Sequence, residues 1–199
     1  MKHLSMTIII GLSILALSGC AFTQANLDIK YADASVKKGP LSSVRPLKIE
    51  VGEFTDKRSE TDKIGYKRNG FGQKTANIVT TKPVPQIVRE AILTEFLKNG
   101  HLSGGDKNII LSGTITSFWF DYQINFWTVE FMGTVSVDLN VLDGKTGSVL
   151  LTRAYHGHYN EKSMGGLEGT WERVMNAALE RMVQQMSTDN KLIQVLKDL

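Results

Sequence analysis

The pattern of apolar residues along the chain predicts an α+β two-layer sandwich, with a mixed, mostly antiparallel sheet of about four strands and two helices on one face. Three observations carry that prediction. Apolar and polar residues alternate in separated stretches around 47–51, 109–116 and 135–141, as half-buried strands require. Helical spacing marks two other stretches, 84–98 and 171–186. The segment Asp143-Gly144-Lys145-Thr146-Gly147 is a hairpin signal between two alternating runs.

The first segment belongs to no fold. Lys2 and His3 precede an apolar run from Met6 to Leu17, broken only by Thr7, Gly11 and Ser13. That run is shorter than the ~20 residues a bilayer-spanning helix needs. A basic start, a short apolar stretch and small residues after it make a secretory signal peptide, residues 1–19. It ends in Leu17-Ser18-Gly19-Cys20, which looks like a bacterial lipobox, in which the Cys is lipidated and all before it is removed. Cys20 is the sole cysteine, so no intrachain disulfide competes for its thiol. An acylated Cys20 would hold the protein to a membrane without a transmembrane helix. Ala21, where an Asp would favour the inner membrane of a Gram-negative host, implies the periplasmic face of the outer membrane.

Residues 20–45 are mixed and polar without sustained periodicity, and are expected to form a flexible linker. Such a tether would span roughly 25–30 Å, enough for the domain, 46–199, to stand off the membrane or to lie on it. Leu47, Ile49 and Val51 make the first strand, and 55–82 reads as a long basic loop containing glycines. Val84–Lys98 is a helix entered through Pro83 and Pro85 and left at Gly100. Two long strands follow, Ile109 to Thr116 and Phe126 to Leu142, with Val149–Tyr159 returning after the hairpin. Thr170 is placed to cap the long helix carrying Trp171, Val174, Met175, Ala178, Leu179, Met182 and Met186, and 190–199 forms a last short helix. The helix between the first and second strands predicts one parallel pairing beside an antiparallel meander.

Few residues suggest chemistry. The loop from Gly65 to Thr75 ends in Lys74-Thr75 like a phosphate-binding loop, but Arg68 and Gln73 occupy its glycine positions and the helix begins too late, so nucleotide is excluded. Lys67, Arg68 and Lys74 are candidates to hold an anionic headgroup or glycan; the alternative is an ordered turn that packs Tyr66 and Phe71 on the sheet edge. The aromatic run Phe118 to Trp127 either packs the core or exposes Trp119 or Trp127 to a lipid interface or a partner. His156 and His158 share a strand face, yet a zinc site needs a third ligand, and exposed strand histidines are the simpler reading. A formal charge of +3 is too weak to argue for nucleic acid. No nucleophile elbow, triad order or paired-carboxylate pattern appears, so no enzyme and no cofactor are expected.

With the lipobox in place, Val51–Asp56, Lys57-Arg58, Ile64-Gly65 and Asn69-Gly70-Phe71-Gly72 before the 84–100 helix resemble the YajG-type lipoproteins of Gram-negative bacteria, over roughly residues 20–186. A more distant resemblance is to the auxiliary lipoproteins of ABC-type lipid transport. The likeness implies location and fold, and carries over one functional residue, Cys20. Two functions fit: a non-enzymatic accessory domain that docks an envelope protein, or a binder of an envelope lipid, lipopolysaccharide or glycan. The second requires an apolar cleft opening beside Lys67 and Arg68.

Overall fold

The computed structural model describes residues 22–199; Cys20 and the expected signal peptide lie outside the described residues. The expected crossover is present. Strand β2 (Lys48–Asp56) runs parallel to β6 (Ile109–Ile124), with Ile49 beside Ile109 and Val51 beside Leu111, and helix α1 (Val84–Lys98) lies between them in sequence. From β6 the chain turns into an antiparallel meander with β7 (Val129–Asp143) and β8 (Val149–Ser163). A two-residue strand, β5 (Leu102–Ser103), completes a sheet ordered β5-β2-β6-β7-β8. Helix α1 packs on β2, and α2 (Glu168–Ser187) packs on β7 and β8. The short α3 (Asn190–Lys197) is docked by Leu192, Ile193 and Leu196.

One face of this sheet makes the core. Leu111, Ile115, Val135, Val137 and Leu139 meet Ile87, Val88 and Ile92 of α1 and Val174, Ala178 and Met182 of α2, all buried. Helix α2 can approach because β7 and β8 present Gly133 and Gly157 to it. A Cβ on Gly157 would stand 1.9 Å from the Ala178 carbonyl oxygen.

Four features depart from the sequence reading. The sheet has five strands, and beside it lies a second sheet of three strands in the order β1 (Ala25–Leu27), β4 (Lys74–Thr80), β3 (Gly65–Arg68). Its hairpin, β3 (Gly65–Arg68) and β4 (Lys74–Thr80), occupies the stretch read as a loop. Only Ile64 and Ile78 of the apolar side chains in 55–82 are buried, so these strands leave almost no alternation to see.

The stretch 20–45 is also corrected. Its described part is no flexible linker: β1 (Ala25–Leu27) pairs parallel with β4, and Leu27, Ile29, Leu41 and Val44 are buried. The Asp28 N–H donates to Glu172 at 2.8 Å and the Lys30 N–H to Asn176 at 2.9 Å, both on α2. The Tyr31 hydroxyl donates to the buried Glu95 carboxylate of α1 at 2.7 Å. The segment is a strap across both helices.

In β6 a bulge between Ile115 and Ser117 resets the alternation. Odd-numbered positions face the core before it and Phe118, Phe120 and Tyr122 after it. The strand therefore runs on to Ile124, and the turn to β7 is 125–128 rather than earlier. Finally, α2 starts at Glu168 with Leu167 at its N-cap and no side-chain cap, so Thr170 lies inside the helix.

Candidate functional site

Three elements meet where β6 ends. The bulge turns Phe120 and Tyr122 inward, where they stack with Phe131 of β7 and Trp171 of α2 at ring-centroid distances of 5.6–6.3 Å. Strand β3 is fastened to this cluster by Tyr122. Its hydroxyl accepts from the Arg68 N–H at 2.6 Å and donates to the Arg68 carbonyl at 3.2 Å. Burial pushes the Tyr122 phenol above its ordinary value, so it stays neutral.

Between β3, β6 and the start of α2 lies an open cleft of about 560 Å³. Lys67 and Arg68 stand on one side, Leu167 and Glu168 on the other, and Tyr122 and Trp171 form the floor. That is a size and a composition able to take a small amphipathic molecule. The Lys67 ammonium lies 5.9 Å from the Trp171 ring and 3.5 Å from Glu168. Arg68 reaches Asp121 at 3.3 Å. Both contacts are long for ion pairs and partly exposed, so they neutralise the two cations only weakly. The uncapped N-terminus of α2 adds the positive end of a twenty-residue helix. The buried Trp171 Nε1–H has no hydrogen-bond acceptor. The floor is apolar, and the rim carries two cations and one carboxylate, Glu168.

The sequence candidates do not converge on one point. Lys67 and Arg68 line the cleft. Lys74 sits 3.8 Å from the centroid of Tyr66, whose ring meets Trp119 edge-on at 5.8 Å, on the far face of β6. Trp127 is at the turn between β6 and β7, 4.7 Å from Phe126 and exposed. Phe71, expected as the other aromatic of an ordered turn against the sheet edge, instead stands in solvent while Tyr66 packs. His156 and His158 project from the outer face of β8 beside Ser136 and Thr134. Among the described residues no three or more His, Cys, Asp or Glu side chains are grouped to hold a metal ion. Tyr122 and Trp171 were read only as aromatic core and helix face. Their place in a cleft depends on the bulge, which shows in the sequence as two apolar residues three apart, Ile115 and Phe118, inside an alternating run.

Among the described residues no helix is long and apolar enough to cross a membrane. A search of curated proteins finds no match. Among solved structures the chain is similar to a protein from Xanthomonas campestris, with 13% identity, a TM-score of 0.56, and coverage of 88% of this chain and 96% of that one. It is also similar to a candidate lipoprotein of Caulobacter crescentus (15% identity, TM-score 0.45, 83% and 98% covered). A lipoprotein of Neisseria meningitidis matches with 16% identity, a TM-score of 0.31, and 72% and 100% covered. At these identities the Xanthomonas likeness is one of fold. A family model described as "uncharacterized lipoprotein" matches residues 41–197, which is most of the chain and all of its main sheet, and the chain belongs to that family.

Proposed function

We propose that this protein is a non-enzymatic accessory lipoprotein of the bacterial envelope that holds the anionic head of an amphiphile in the cleft between β3, β6 and α2. The observation that carries the reading is the placement of Lys67 and Arg68 together at the rim of an aromatic-floored cleft. An apolar floor favours an acyl or other greasy portion, and Lys67 and Arg68, two cations against the single carboxylate of Glu168 at the rim, favour a phosphate or carboxylate. Membership of a lipoprotein family and the Leu17-Ser18-Gly19-Cys20 motif support an acyl anchor on Cys20. Ala21 supports the periplasmic face of the outer membrane as its address.

The test uses lysophosphatidylglycerol, below the concentration at which it forms micelles, titrated into the purified lipoprotein and followed by calorimetry. Saturable one-site binding is expected, weakened at least tenfold in Lys67→Gln/Arg68→Gln and little changed in Lys74→Gln. Absence of saturable binding, or equal binding by wild type and the double variant, overturns the reading.

A further inference from the structure

We propose that the end of the molecule formed by the turns 69–73, 125–128 and 164–167 seats on the bilayer that holds the Cys20 anchor. This rests on Cys20 carrying acyl chains, and it is independent of what the cleft binds.

Six of the ten exposed large apolar side chains among the described residues are at this end: Phe71, Ile124, Phe126, Trp127, Met164 and Leu167. Phe71 is 92% exposed, Phe126 88% and Trp127 77%, so these rings bury little against the fold. The three turns are neighbours. Gly70 and Phe71 share a cleft with Gln123, Ile124 and Asn125, and the pairing of Val129 with Ser163 sets the 164–167 turn beside 125–128. Lys67, Arg68 and Lys162 stand just behind the apolar tip, partly offset by Glu168, Asp121 and Glu130. Apolar rings in front of a collar of long cations suit a bilayer surface, where Trp settles at headgroup level and Phe buries at the acyl boundary below it. The opposite end, at turns 104–108 and 143–148, carries Asp106, Lys107, Asp143 and Lys145 and no aromatic residue.

The number of residues between Cys20 and β1 says what covers the tip. Strand β1 is parallel to β4, with Ala25 beside Ile78, so the chain before Ala25 comes from the side of Lys74 and the 69–73 turn. From Cys20 to Ala25 is five residues, at most about 18 Å of extended chain. From Ile78 back to Lys74, β4 covers about 13 Å. Even at full extension, a tether of that length ends near the level of Phe71. Because β1 is fixed in its sheet, the tether is five residues rather than twenty-five, and the domain cannot stand off. An anchor this close brings the aromatic tip to the lipid surface and leaves the cleft of Lys67 and Arg68 opening next to it.

The experiment reconstitutes the purified full lipoprotein in vesicles of phosphatidylethanolamine and phosphatidylglycerol, with and without bromine atoms on the acyl chains near the headgroup. Brominated lipid is expected to quench tryptophan emission, and Trp127→Ala is expected to cut the quenched fraction more than twofold while Trp119→Phe leaves it. Trp127 is exposed, so the variant folds; equal melting temperatures check it. Intact mass reads the anchor separately. Acyl mass without quenching of Trp127 overturns the seating and leaves the anchor in place. Lack of acyl mass overturns the anchor and with it the seating as proposed. Trp127 that is unquenched in pure lipid but protected once envelope proteins are added overturns the seating in favour of a protein on this face.

Discussion

The meander β6–β8 and the strap at 25–45 are both built into the core, by opposite means. In the meander each buried residue has the same kind of partner: a helix face on one side, a neighbouring strand on the other. Burial therefore repeats every second residue, and the bulge at Ile115/Ser117 shifts its phase without erasing it. In the strap each contact is individual. Asp28 and Lys30 give their backbone N–H groups to two different side chains of α2, Tyr31 gives its hydroxyl to Glu95 of α1, and Leu41 and Val44 are buried on either side of the short turn at 42–43. A strap can thus be as firmly docked as a strand and still look like a tether.

The meander's closest contact offers the largest effect. A Cβ on Gly157 would lie 1.9 Å from the Ala178 carbonyl oxygen and 2.6 Å from the Met182 nitrogen. Both are helix backbone, with no flexible side chain to move aside, so α2 must lift from β8. Gly157→Ala is expected to destabilise the fold by about 4 kcal/mol or more, beyond the range of ordinary substitutions. Urea unfolding followed by far-UV circular dichroism measures it. A loss under about 1 kcal/mol would mean that α2 does not seat on this glycine.

The next effect separates strap from tether. Leu27 is completely buried in β1. Leu27→Ala is expected to cost about 2–5 kcal/mol, the usual range for a buried leucine truncated to leave a cavity. The same change in a flexible linker would fall within about 0.5 kcal/mol of zero. Equilibrium unfolding of the two chains side by side decides between the descriptions, and with them how far the domain could move from the anchor proposed at Cys20.

Much of the fold was legible because its long elements bury one face each. The crossover β2–α1–β6, the 143–147 hairpin and the apolar side of α2 follow from alternation, glycine placement and helical spacing. The strap had one signal, Ala25-Asn26-Leu27-Asp28-Ile29, an alternation of five residues set in polar surroundings and too short to outweigh them. Strands β3 and β4 were hidden because an edge hairpin that buries only Ile64 and Ile78 looks like loop. Of the cleft, Lys67 and Arg68 were visible as charge, while Tyr122 and Trp171 were not visible as floor, since stacking across β6 and α2 is a tertiary fact.

The smallest expected effect is one of pH, at the junction where the strap enters β2. His101 is buried there, and its Nδ1 accepts a hydrogen bond from the Leu47 N–H at 3.2 Å. A proton on Nδ1 would face that donor, so the ring is held neutral. Burial pushes its pKa below the ordinary histidine value of about 6.5, with only partial compensation from the backbone of Leu41. Above that value both folded and unfolded chains carry a neutral ring, and His101 contributes no pH dependence. Below it the unfolded chain takes a proton that the folded chain refuses, so stability falls as the pH falls, until the folded-state pKa is reached. A single proton limits the slope to about 1.4 kcal/mol per pH unit. His101→Asn keeps an acceptor for Leu47 and removes the titration. Between pH 7 and pH 5 its urea midpoint is expected to change less than that of wild type. Parallel curves for wild type and His101→Asn would mean that water reaches the ring when the strap is in place, and that the strap opens at its junction with β2 far more readily than its buried leucines imply.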